Sequence, residues 1–102
     1  MSETTTVRDN PQARRFEAVV QGHIAVAQYE MAPGVITFTH TFVPESLRGR
    51  GIANELAKAG LAAARERALL VIPKCTFFAA YMKKHPETHD LLALEGRALV
   101  ME

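Results

Sequence analysis

FVPESLRGRGIANELAKAGLAAA, residues 42–64, is the stretch that decides the fold. Arg48-Gly49-Arg50-Gly51 places two glycines and two arginines in four residues, between an apolar β-branched run and an alanine-rich segment. From Gly51 to Ala68 the residues are strong helix formers. Ile52, Leu56, Ala59 and Ala63 recur at helical spacing, and Ala53, Ala57, Gly60 and Ala64 form a second stripe of very small side chains. A helix with so little bulk lies close to a sheet. Gly60 costs about 1 kcal/mol against alanine in a helix interior, so it marks close backbone contact.

Upstream, residues 35–43 alternate strictly, which suits a strand. One face carries Ile36, Phe38, His40 and Phe42, and the other carries Val35, Thr37, Thr39, Thr41 and Val43. Ala32-Pro33-Gly34 has the residue order of a type II turn. Before it, residues 14–20 and 23–30 read as a hairpin around Gln21-Gly22. Residues 1–6 are polar and read as a frayed end or an edge strand, and Pro11 ends whatever Val7 and Arg8 belong to. Downstream, the continuous apolar run 69–73 suits a buried strand parallel to 35–43, because a helix connects the two. Residues 77–85 form a second helix stopped by Pro86, and 87–102 holds one more turn of helix or a short strand. The expected class is α+β with an α/β-like crossover: a mixed, mostly antiparallel sheet and two main helices.

The chain of 102 residues fits one domain, 1–102, with 1–6 and 93–102 expected to be flexible. The net charge of +1 gives no whole-molecule attraction to nucleic acid or membrane, so any anion site is local. Arg14, Arg15, Arg48 and Arg50 lack the interleaved aromatics of a nucleic-acid platform. No run reaches the length of a membrane span, and the start lacks the apolar core of a signal peptide. With one cysteine, Cys75, no internal disulfide forms, and a cytoplasmic setting is expected. His85, Glu87 and His89 surround Pro86 without a rigid ligand frame, so no metal site is expected.

The glycine-rich turn has the makings of an anion site. Helix-start N–H groups have no partner within the helix and carry the positive end of its dipole. Glycines at 49 and 51 let a ligand approach the backbone, while Arg48 and Arg50 add fixed charge. The other reading is a tight turn with solvated arginines. The phosphate-loop pattern GxxxxGK[ST] is absent, and a dinucleotide fingerprint fails because Asn54 stands where its third glycine belongs.

Arg48-Gly49-Arg50-Gly51-Ile52-Ala53 does match [RQ]-x-x-G-x-[GA], the pyrophosphate signature of the GNAT acetyltransferases. Three further phrases stand in order with it: His40-Thr41-Phe42-Val43-Pro44, Ile72-Pro73-Lys74-Cys75 and Tyr81-Met82-Lys83-Lys84-His85-Pro86. Across residues 7–92 the chain resembles a compact GNAT-like subfamily with a truncated fold. The resemblance implies acetyl-CoA as the ligand and a splayed parallel strand pair that admits its pantetheine arm. It implies backbone contacts to the arm from Thr41, Phe42 and Val43, and a pyrophosphate cradle at Arg48, Gly49, Arg50, Gly51, Ile52 and Ala53. Phe77 and Phe78 read as core or as walls of the ligand channel.

Acetyl transfer needs a nucleophile, a base and donors for the developing oxyanion. Cys75 stands between a buried strand and a helix, with Thr76 as the expected N-cap. Placement alone leaves it open between a reactive thiol and a small buried residue; the resemblance implies a cysteine near the acetyl group, either accepting it or lining the channel. His40 is open between a core histidine and the base of a His–Cys pair. The resemblance gives Tyr81 the role of proton donor to the departing thiolate, although the glycine usual after that tyrosine is missing; core packing is its other reading. The expected function is acetyl transfer from the CoA thioester to an unidentified amine or protein acceptor. The alternative is a CoA-binding module without catalysis.

Overall fold

Gln21 and Gly22 have φ of 51° and 80°, the pair of positive angles that a two-residue hairpin turn needs to match strand twist. They join β2 (Arg15–Val20) to β3 (His23–Ala32). Gly34, at φ 74°, takes the left-handed position of the Pro33-Gly34 turn and starts β4 (Val35–Phe42). The computed structural model describes residues 6–101. Most of the segment expected to fray or add an edge strand therefore lies outside the described residues. The edge is formed by β1 (Val7–Asn10), which pairs antiparallel with β2 and stops where Pro11 begins.

Helix α1 (Ile52–Glu66) carries the chain to β5 (Leu70–Pro73), which lies parallel to β4. The strand order is β1-β2-β3-β4-β5, an antiparallel meander with one parallel crossover strand, as expected. Two more helices follow, α2 (Thr76–Lys84) and α3 (Leu94–Val100). The tail thus resolves as helix, reached through a 3-10 turn at Pro86–Leu91 and a parallel bridge from Leu92 to Val71.

One face of the sheet meets the helices. Ala18, Ala25, Ala27, Tyr29 and Phe38 are buried there against Leu56, Ala57, Gly60 and Ala64 of α1. Small side chains on both partners bring helix and sheet together. A Cβ on Gly60 would lie 2.9 Å from Cζ of Phe38, which confirms the close contact expected there. Phe38 has no exposed surface and stacks on Phe78 with ring centres 4.1 Å apart. The second small-residue contact went unread in the sequence: a Cβ on Gly96 would lie 2.8 Å from the carbonyl oxygen of Val71, so α3 sits directly on β5 backbone.

The C-terminal end of α1 is tied on two sides. The Arg65 guanidinium donates to both carboxylate oxygens of Asp90, at 2.7 and 2.9 Å, and to the carbonyl of Glu87. That guanidinium holds the Asp90 carboxyl below its ordinary range. Arg67 reaches Asp9 at 3.0 Å, and the Tyr29 hydroxyl donates to the same carboxylate at 2.6 Å. Burial, aided by Asp9, pushes the Tyr29 hydroxyl up to about 12.

The strict alternation read along β4 fails at one residue. Gln28 pairs with His40 but Tyr29 pairs with Phe38, so Thr39 is an extra residue, a β-bulge. Its hydroxyl donates to the carbonyl of Gln28 at 3.3 Å. Beyond a bulge the side chains change faces. Ile36, Phe38 and Thr41 therefore face the helices, while His40 and Phe42 are exposed on the opposite face. The expectation that His40 and Phe42 share a face with Ile36 and Phe38 is corrected by this single inserted residue.

Candidate functional site

Between β4 and α1 the chain makes a short 3-10 turn, Glu45–Leu47, pinned by the buried side chain of Leu47. Gly49 and Gly51 then adopt φ of 83° and 73°. Only glycine takes such angles without strain, so these two residues set the bend. Gly51 is the N-cap of α1, and no side chain caps the helix. The first-turn amides are left without a side-chain partner, beside a hollow of about 140 Å³ lined by Val43, Leu47, Arg48, Gly49, Gly51, Ile52 and Ala53. A Cβ at either glycine would meet nothing within 4 Å, so the space before the amides is open. Arg48 and Arg50 are exposed, and among the described residues no ion pair engages them. All six residues of the motif meet in this one turn.

The β4 edge is open next to it. Pairing between β4 and β5 ends at Phe38 and Pro73, followed by one further bond from the Cys75 N–H to the Phe38 carbonyl at 2.8 Å. Thr39–Phe42 therefore bond to β3 on one side and have no β5 partner on the other. This is a free run of backbone donors and acceptors on a parallel strand pair that has parted.

Cys75 sits at the start of that gap, 7% exposed, and is itself the N-cap of α2. Thr76, expected to cap, is instead the first helical residue. The Cys75 Sγ lies 3.2 Å from the Thr41 hydroxyl. The expected thiol–imidazole pair is not formed: the bulge turns His40 to the other face, and among the described residues no hydrogen bond joins it to Cys75. Thr41 was expected to offer only its backbone. Its side-chain role went unread because alternation placed it on the wrong face.

Tyr81 lies elsewhere. With Asn54 and Lys58 of α1 and Phe77, Lys84 and His85 around α2, it lines a groove of about 400 Å³ between the helices. Its ring stacks on His85 at 4.1 Å, and burial raises its hydroxyl pKa. Phe78 is fully buried on Phe38 and belongs to the core, whereas half-buried Phe77 is the channel-wall residue. The groove residues left a faint trace in the sequence: Asn54 with Lys58, and Ala80 with Lys84, are four apart on a helix and so share a face. His85 and His89 are engaged separately: the first donates to Glu87 at 3.2 Å and the second to the Met82 carbonyl at 2.8 Å. Among the described residues no group of three or more His, Cys, Asp or Glu side chains is arranged to hold a metal ion. Nor is any described helix long and apolar enough to cross a membrane.

Comparison with known proteins agrees with this geometry. The model of the GCN5-related N-acetyl-transferase family matches residues 15–91. Among curated relatives, Protein NATD1 of Mus musculus is 36% identical over 83 residues, which cover 78% of this chain and 76% of that protein. The Xenopus tropicalis protein of the same name is 33% identical over 88 residues, covering 83% and 81%. The Homo sapiens protein is 40% identical over 63 residues, covering 61% and 56%.

Proposed function

The chain belongs to the GCN5-related N-acetyltransferase family, and from that premise we propose that it binds acetyl-CoA at the β4–α1 turn and passes the acetyl group to an amine. The observation that carries this reading is the turn. Uncapped helix-start amides, two left-handed glycines with open space before them and two unpaired arginines converge on one hollow. An anion with several acceptor oxygens suits such a donor set.

In this reading the amides of 49–53, with Arg48 and Arg50, hold the pyrophosphate. The pantetheine arm runs along the free edge of β4 and bonds to the backbone at Thr41, Phe42 and Val43. The adenosine end extends into the α1–α2 groove, where Lys58 and Lys84 meet its 3′-phosphate. The thioester then comes to rest beside Thr41 and Cys75. The amine nitrogen attacks the thioester carbonyl carbon, so a C–N bond forms and the C–S bond breaks. The amine proton leaves to a base, and the departing thiolate takes up a proton. His40, on the bare side of the β4 edge, is the base in this scheme. Tyr81, kept protonated by its burial, is the donor.

A second reading, binding without transfer, draws on the buried Cys75 thiol, which is bonded to Thr41 and not to a base. Mass spectrometry after exposure to acetyl-CoA separates a covalent route from both. A thiol-labile acetyl group on the wild-type chain that is lost in Cys75→Ala supports the covalent route. The central claim is tested by titrating the labelled protein with coenzyme A. The amide resonances of residues 48–53 move at saturation; resonances that stay in place would falsify the assignment.

A further inference from the structure

The bulge at Thr39 divides the end of β4 between two environments. Thr41, opposite buried Ala27, faces the helices, while Phe42, opposite Val26, faces the uncovered side of the sheet. On that side Phe42 begins an apolar row that crosses three strands. Val26 lies beside it on β3, followed by Ile24, which pairs with Val19 of β2. Phe42 and Val19 are each 58% exposed and Ile24 is 44% exposed, with Val26 buried among the four. Nothing in an isolated two-layer domain requires this row, since a solvated sheet face ordinarily alternates to polar residues.

We propose that this row is a docking strip for the acetyl acceptor, and that the acceptor is a polypeptide segment carrying its amine next to apolar side chains. The inference rests on the acetyl-CoA reading above, in which the thioester reaches the free β4 edge from the helix side. From there the thioester is open toward the bare face, where His40 and Phe42 flank the same edge. Three arguments fix the kind of partner. Position comes first, since the strip starts at the edge where the acetyl group would be exposed. Charge comes second. The Arg15 and Glu17 side chains on this face are bonded to each other at 2.7 Å, and Asn10 also donates to Glu17, so no unpaired field selects a polyamine or a polyanion. Size comes third. The row spans roughly 12 Å, the length of about four extended residues. Its exposed apolar surface is on the order of 300 Å², well short of the ~800 Å² per partner that a stable dimer buries. A short segment fits where a second copy does not.

The test uses the full labelled chain and three probes: a capped tetrapeptide with one lysine flanked by leucine and phenylalanine, one with lysine flanked by aspartate and serine, and spermidine. The apolar-flanked peptide should shift the resonances of residues 19, 24, 26 and 42. It should bind at least tenfold more weakly to a Val19→Glu/Ile24→Glu variant, whose acetyl-CoA affinity stays within twofold of wild type. Equal response to all three probes, unchanged peptide affinity in the variant, or shifts confined to the α1–α2 groove would overturn the strip. So would sedimentation in which the wild type self-associates and the variant does not, which would make the face an interface between copies. Calorimetry of the wild type with acetyl-CoA separates the two levels: no binding there removes the premise, whereas binding combined with an indifferent strip removes only the acceptor assignment.

Discussion

Helix α1 ends with its last carbonyls accepting from the N–H groups of Arg67, Ala68 and Leu69, and it begins with no side chain on its first amides. The contrast extends to the arginines. Arg65 and Arg67 at the end are bonded to Asp90 and Asp9, while Arg48 and Arg50 at the start are exposed and free of ion pairs among the described residues. Even the left-handed residues differ. Ala68 takes φ 56° at the end, where neighbouring bonds hold it, and Gly49 and Gly51 take such angles at the start, where nothing packs on them. One end serves stability. The other keeps its donors and charges available, which is the arrangement expected of a binding site rather than a fold contact.

If that division of labour is right, Arg48→Ala with Arg50→Ala gives the largest effect. Coenzyme A affinity should fall by roughly a hundredfold, about 2.7 kcal/mol, because two charge-assisted contacts are lost. Pantetheine affinity and the melting midpoint should barely change. Calorimetry with both ligands decides, and an equal loss for both would contradict the pyrophosphate assignment. Gly51→Ala comes next. The new Cβ meets no atom, so the cost is the left-handed backbone alone, about 1–2 kcal/mol. Thermal unfolding should show a midpoint lower by several degrees. At the other end, Asp90→Asn should lower the midpoint only slightly, because the Arg65 pair is exposed, and should leave coenzyme A affinity unchanged. The sign with pH follows from the depressed Asp90 carboxyl. Its contribution is complete above the ordinary value of 3.8 and is lost as pH falls through the lower folded value. Wild-type and Asp90→Asn midpoints should therefore converge in acid; a gap that persists there would assign the effect to something other than the ion pair.

The sequence reading reached furthest where one residue has one physical meaning. Gly22 and Gly34 announced turns that only positive φ can make, and Gly60 announced a contact that only a missing Cβ permits. The turn motif was legible for the same reason. The bulge was not, because threonine is as much at home in a regular strand as in a bulged one, and nothing in the alternation from Val35 to Val43 marks Thr39 as extra. That one residue moved His40 away from Cys75 and Thr41 toward it. Helix α3 was hard to read because it is only seven residues long and Leu94 and Leu99 are exposed, which blurs its apolar face. Its docking depends on backbone contact at Gly96, which has no side-chain pattern to detect.

The ring of Phe38 lying against Gly60 acts as a ruler. A helix advances about 1.5 Å per residue, so Gly60 sits roughly 12 Å from the mouth of α1. Sliding the helix by one residue in either direction would press the side chain of Ala59 or Leu61 onto a ring that is already stacked and enclosed. The distance between the open amides and the parted strand is therefore gauged far from both, by an atom that glycine does not have.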